Sequence, residues 1–266
     1  MSAGKRGPQT ALTRRGRRKP APIEIPWEQL LTTLRHFYKD GGDWRVPYLR
    51  AHAETPFQVL IGTILSQRTR DEATDVASER LFREFPTPEA LAEAPVPKVL
   101  RLIRPVGFYA TKAKGVRDCA REIRDRFGGK VPASMEELLS LPMVGRKTAN
   151  CTLVFGYGIP AVPVDTHVHR IANRLGAVRT RTPEETEEAL MRVIPMDLWV
   201  PVNPLLVQHG QNVCRPIGPQ CSRCPIVELC ETGRSGGERP ARGDKKRGRA
   251  SSGRPRTRPK RAPRPQ

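Results

Sequence analysis

The chain has 266 residues, 37% of them hydrophobic, and a formal net charge of +20. That length allows one large or two small domains and a sizeable core, and no apolar run approaches the ~20 residues needed to span a bilayer. The basic N-terminus is not followed by the apolar stretch of a secretory signal, so the expected setting is intracellular: for a bacterial protein, cytoplasmic and nucleoid-associated.

The charge sits at the ends. Residues 1–20 carry seven Lys/Arg and no acid, and residues 231–266 carry thirteen against three, which leaves only +3 for the middle of the chain. Segments so poor in large apolar residues cannot bury enough surface to fold. Residues 1–23 and 232–266 are therefore expected to be disordered basic arms. Arms of this kind bind polyanions through counterion release without reading sequence, which points to nucleic acid as the partner.

Between the arms, helical signals dominate from roughly residue 24 to 231. Thr55-Pro56 is an N-cap followed by proline at the first helical position, and Phe57, Leu60, Ile61, Ile64 and Leu65 then recur at helical spacing. Thr87-Pro88 and Thr182-Pro183 repeat the start signal, and Ser134 with Glu137 and Thr182 with Glu185 fit capping boxes. The apolar run 161–164 is short and broken by Pro163, and no run alternates as a strand would. Cys119 and Cys151 stand alone in helical segments and read as small buried residues.

Residues 139–156 read LSLPMVGRKTANCTLVFG. A capped helix ends near Ser140, a tight turn follows, and a second helix starts near Arg146. A helix, hairpin and helix of this kind can aim backbone N–H groups at a phosphate whatever the base, although the turn alone is also what an ordinary helix connection looks like. Lys147 opens the second helix, where the positive end of the dipole disfavours its charged form. A neutral lysine is a nucleophile able to form a Schiff base with a sugar carbon. Asp165, eighteen positions later in VPVDTHVHR, can stabilise positive charge on that sugar if the fold joins the two. Taken singly, each residue is more often structural, a surface lysine and a helix-capping aspartate.

Cys214, Cys221, Cys224 and Cys230 crowd one short stretch, and clustered cysteines in an intracellular chain bind metal more readily than they form disulfides. Spacing alone leaves a four-thiolate zinc site and an iron–sulfur cluster both open.

The LPMVGRKTAN and VDTHVHR stretches resemble the helix–hairpin–helix and catalytic-aspartate motifs of the endonuclease III family over roughly residues 27–231. The resemblance implies that Lys147 is the catalytic lysine of a lyase-competent member and Asp165 the catalytic aspartate. It also implies that the four cysteines hold a [4Fe–4S] cluster, with Arg215 and Arg223 in its loop within reach of phosphates. VGFYATKA (106–113) is similar to the segment that wedges a side chain into DNA, which by position is Phe108. ILSQRTRDEATD (64–75) is similar to the segment facing the orphaned base, where the usual pattern is L-S-x-Q-x-x-D; here Gln67 comes one place early and Arg68 holds the usual Gln position, so either could fill the gap. Val144, Gly145 and Arg146 are the hairpin's DNA-binding candidates. Many members have Gly where this chain has Met143, so the backbone there either differs or holds a bulky residue under strain.

The implied fold is all-α, with two helical domains flanking a DNA-binding groove. One is a six-helix domain with the helix–hairpin–helix, residues 50–158; the other is an iron–sulfur cluster domain built from 24–49 and 159–231. The implied function is base-excision repair by a monomer on double-stranded DNA, removing oxidised pyrimidines and cutting the abasic site by β-elimination through a lysine Schiff base. Two alternatives are a glycosylase of the same fold with another lesion preference, mismatch or pyrimidine dimer, and a non-catalytic DNA-binding protein. A lesion panel separates the first, and the Lys147/Asp165 pair argues against the second.

Overall fold

The structure, a computed structural model, describes residues 21–38 and 55–236. The expected basic arms fall almost entirely outside those residues, as does 39–54. The described residues are helical, with no strand among them.

The buried side chains form two clusters. The first spans Phe57 to Ala161. At its centre is α2 (Pro56–Ser66), whose residues from Phe57 to Leu65 are buried apart from Gln58; a helix apolar on every side belongs inside a core. Around it stand α3 (Asp71–Glu84), α4 (Pro88–Ala92), α5 (Val96–Leu102) and α6 (Tyr109–Phe127). A short α7 (Met135–Leu139) leads through the hairpin into α8 (Arg146–Cys151), which continues as one π-helical turn, Thr152–Gly156. Both α8 and the π turn pack on α2. At Gly156 a Cβ would lie 3.1 Å from the Pro56 Cα, so the π turn and the head of α2 approach closely.

The second cluster joins α1 (Trp27–Tyr38) to the chain after residue 161. It contains α9 (Thr166–Leu175), α10 (Pro183–Val193), α11 (Trp199–Asn212) and the short α12 (Glu231–Arg234), with α11 packed against both α1 and α9. The apolar stretch with Pro163 runs as an irregular connection whose Ala161, Val162 and Val164 are buried.

The threonine–proline starts place their helices by local chemistry. Thr87 Oγ1 accepts from Ala90 N at 3.2 Å, and Thr182 Oγ1 from Glu185 N at 3.2 Å. The reciprocal capping box, however, forms at Thr55–Gln58 rather than at the two expected places. Glu137 instead accepts from the Ser134 hydroxyl at 2.7 Å, and Glu185 accepts from Arg181 N at 2.7 Å, so neither carboxylate reaches back to its own N-cap N–H.

Candidate active site and cysteine cavity

One open cleft is lined from both clusters. The first contributes the turn 66–69 after α2, Asp71 at the head of α3, and the hairpin with the start of α8 (Met143, Gly145, Arg146, Lys147, Thr148). The second contributes Val164 to His167, the start of α10, and Asn203, Val207 and Gln211 of α11.

Lys147 and Asp165 both face this cleft. Asp165 is the N-cap of α9, and its Oδ1 accepts from His167 N at 2.8 Å and Val168 N at 2.9 Å, which fixes the carboxylate at the cleft wall. Both also act on the buried thiol of Cys151. Burial pushes that thiol up; the charge and hydrogen bond of Lys147 pull it down, and the charge of Asp165 pushes it up further. A lysine and a carboxylate that both act on one buried atom share a site.

Asp71 lines the same cleft; it fills the last place of the L-S-x-Q-x-x-D pattern but was given no role in the sequence, where an acid in a first helical turn looks like an ordinary match to the helix dipole. Burial raises its carboxyl above the usual range, a hydrogen bond from Gln211 lowers it, Glu72 raises it, and the charges of Lys147 and His167 lower it.

The hairpin residues differ in what they present. Val144 turns its side chain into the core, and its N–H bonds Leu141 O at 3.3 Å. Gly145, the N-cap of α8, has nothing within 4 Å of where a Cβ would stand, so the backbone is open to the cleft. The Arg146 guanidinium is taken by the buried Glu187 of α10, at 2.7 and 3.3 Å. Met143 adopts the left-handed backbone that glycine favours, φ 66°, and its side chain lies over Gly115 of α6, where a Cβ would be 2.5 Å from the Met143 Cγ. The bulky residue is thus accommodated by a missing side chain opposite.

Gln67 and Arg68, the two candidates to face the orphaned base, meet different partners. Gln67 Nε2 donates to Met143 O at 3.1 Å and to Thr148 Oγ1 at 3.3 Å, tying the end of α2 to the hairpin. Arg68, with φ 53°, carries its guanidinium 5.7 Å from the ring centre of Phe108. Phe108 is 62% exposed, a large apolar side chain left in solvent at the head of α6.

The four clustered cysteines line a second, separate cavity together with Arg174, His209 and the loop 219–233. Arg174 Nη1 lies 3.4 Å from Cys214 Sγ, Gly233 N donates to Cys230 Sγ at 3.4 Å, and His209 Nε2 is 3.4 Å from Cys224 Sγ. Burial pushes the Cys224 thiol up to about 11, with Cys214, Cys230 and Cys221 adding to the rise. N–H groups aimed at sulfur suit thiolates held by a metal centre, which supplies the positive charge that the free thiols lack. Among the described residues, no three His, Cys, Asp or Glu converge closely enough to hold a single metal ion. Four cysteine sulfurs around one cavity are the kind of donor set that holds a thiolate-bound metal centre. Arg170 and Arg174 of α9 strap the loop by donating to Cys214 O, Arg215 O and Pro216 O at 2.7–2.9 Å. Arg215 and Arg223 are exposed on its outside.

No helix among the described residues is long and apolar enough to cross a membrane. Residues 61–196 match the family model of the HhH-GPD superfamily base excision DNA repair protein. The chain is 52% identical over 183 residues to endonuclease III of Thermotoga maritima, covering 68% of this chain and 86% of that protein. It is 44% identical over 186 residues to the chloroplastic endonuclease III homolog 2 of Arabidopsis thaliana, covering 66% of this chain but about half, 48%, of that longer protein. Among solved structures, a trapped endonuclease III–DNA covalent intermediate superimposes with a TM-score of 0.69 at 32% identity, covering 79% of this chain and 98% of that one. With the helical fold and a cleft that joins hairpin, lysine and aspartate, these matches establish that the chain belongs to the endonuclease III family and is a base-excision repair enzyme, a DNA glycosylase with abasic-site lyase activity.

Proposed function

We propose that the protein removes oxidised pyrimidines from double-stranded DNA and cleaves the resulting abasic site through a Schiff base on Lys147, acting as a monomer. The observation that carries this reading is the meeting of Lys147, Asp165 and Asp71 in one cleft beside the hairpin.

The damaged nucleotide must leave the stack before its sugar carbon can be reached. On this reading Phe108 and Arg68 fill the gap it leaves, Phe108 as the apolar wedge and Arg68 toward the orphaned base, while Gln67 braces the hairpin. The open backbone at Gly145 and Arg146 meets the phosphate; the Arg146 side chain serves Glu187 instead, and Val144 serves the core. Neutral Lys147 Nζ then attacks the sugar C1′, and the bond to the base breaks with its electron pair leaving on the base, which takes up a proton. The Asp165 carboxylate stabilises the positive charge that develops on the sugar. Asp71, its carboxyl raised by burial next to Lys147, carries protons to and from this centre. Nitrogen then loses a proton and the C1′–O4′ bond opens, with O4′ taking up a proton, to give the imine; its C2′ proton is acidic, removal of that proton expels the 3′ phosphate, and water hydrolyses the imine to free the lysine.

The two buried clusters correspond on this reading to two domains, 50–158 and 24–49 with 159–231, and the cleft between them is the DNA groove. Cys214, Cys221, Cys224 and Cys230 hold a [4Fe–4S] cluster whose part is to order the loop 214–230. About four irons per chain, lost in Cys221→Ser, are expected by metal analysis; about one zinc would overturn it.

Borohydride trapping on a duplex carrying thymine glycol tests the chemistry. A covalent adduct that disappears in Lys147→Ala is the expected result. Base release without any adduct would make the enzyme monofunctional and the role of Lys147 wrong. Adducts on a mismatch or a pyrimidine dimer, but not on thymine glycol, would move the lesion preference.

A further inference from the structure

Three non-glycine residues among those described have left-handed backbones: Arg68 (φ 53°), Phe108 (φ 57°) and Met143 (φ 66°). All three line one small cavity beside the cleft, with Gln67, Thr111 and Lys112. Unfavourable backbone of this kind persists only where the surroundings over-determine it, and it gathers at functional sites.

Lys112 of α6 supplies that constraint. Only 2% of it is exposed, and its ammonium spends its three donors on Leu65 O at 2.7 Å, Gln67 O at 2.6 Å and Thr69 Oγ1 at 3.0 Å. Two of these acceptors are carbonyls at the C-terminal end of α2, which have no partner within the helix itself. The third, Thr69 Oγ1, also accepts from Gly107 N at 3.0 Å. Gly107 sits so close that a Cβ there would lie 2.7 Å from Arg68 O. The turn carrying Arg68 and the turn carrying Phe108 are therefore locked through one buried charge, and Gln67 extends the lock to Met143 O. Burial holds the lysine down at about 8, and an apolar side chain would fill the same core without that cost. What an apolar side chain cannot do is satisfy three acceptors arranged around one point.

We propose that Lys112 is a positioning residue for duplex DNA: it holds the Arg68 and Phe108 turns together as one rigid wedge, which sets how well the enzyme keeps an opened duplex. The proposal rests on the reading of this face as the one that enters DNA. It assigns Lys112 no contact with the reacting atoms, so its effect falls on duplex opening rather than on the chemistry at Lys147.

The test compares Lys112→Met, Lys112→Arg and the unaltered full chain on one abasic site, placed in a duplex and in a single strand. Borohydride trapping and the fluorescence of a 2-aminopurine opposite the site are both read, and Tm is checked alongside. Lys112→Met is expected to lower the ratio of duplex to single-strand trapping about tenfold or more and to abolish the fluorescence rise on binding, with partial rescue by Lys112→Arg, which keeps charge and donors. If Lys112→Met does not fold, Thr69→Val, which removes the acceptor shared by Lys112 and Gly107, is expected to show the same duplex-selective loss. Parallel losses on both substrates, or an unchanged ratio with an unchanged fluorescence rise, would overturn the proposal. If the unaltered chain traps neither substrate, the lyase chemistry is what fails, and the 2-aminopurine signal still judges Lys112.

Discussion

Asp71 illustrates how a residue of the cleft works against the fold that holds it. Its carboxyl is raised, first by burial, so the native state binds that proton more tightly than the unfolded chain does. Between the unfolded value near ~4 and the raised native one, the native state holds more protons, and stability falls as pH rises through that window. Above that raised value the cost is fully present. Asp71→Asn keeps an acceptor for Gln211 and removes the charge, so its Tm at pH 7 is expected to exceed that of the unaltered chain, by ~2–4 °C for each kcal/mol relieved. The gain should vanish below pH ~4, while turnover falls about a hundredfold or more. Thermal melts across pH check this, and a lower Tm at neutral pH would contradict it. Cys119 is the contrasting case: fully buried and pushed up to about 12, first by burial and then by Glu122. It should resist iodoacetamide at pH 8 in the native protein and react only on unfolding, which peptide mass mapping can follow.

Among the elements, the contact of the hairpin with α6 makes a sharp prediction. Alanine in place of glycine normally favours a helix by about 1 kcal/mol, but at position 115 the added methyl meets Met143 Cγ at 2.5 Å. Gly115→Ala is therefore expected to destabilise the protein, and to stabilise it once Met143→Gly has removed the obstacle. A double-mutant cycle by denaturant unfolding should give a coupling of about 1 kcal/mol or more; additive effects would mean the two residues do not restrain each other. Thr182→Ala, which removes the N-cap of α10, should cost about 1 kcal/mol. These starts were legible because an N-cap and the proline after it act within one turn of chain. The capping boxes were less so, since the carboxylates of Glu137 and Glu185 had other donors within equal reach. Met143 was recognisable as a bulky residue where glycine is usual, but the space that admits it lies on another helix.

For the whole molecule, the distribution of charge governs how DNA is approached. Residues 237–266 carry twelve Lys/Arg against two acids, and residues 1–20 seven against none. Deleting both segments should flatten the plot of log affinity against log salt, by about 0.9 for each phosphate that the segments neutralise. Single-turnover trapping at saturating protein should persist, because the cleft residues lie within 66–211. An unchanged salt slope in titrations would show that the segments do not touch DNA. The sequence by itself determined what depends on neighbours a few positions apart: helix starts, the hairpin with Lys147 at its exit, and four cysteines close enough in the chain to line one cavity. Tertiary structure alone decided which distant groups meet. Glu187 takes the Arg146 guanidinium across 41 positions, Gln67 reaches the hairpin across 76, and Lys112 holds the end of α2 across 47. Asp71 enters the cleft only because α3 begins beside α8 and α11. Spacing within a turn of helix is written in the order of residues, whereas a partner dozens of positions away is selected by packing, where burial and the need to satisfy every buried donor and acceptor choose among many candidates.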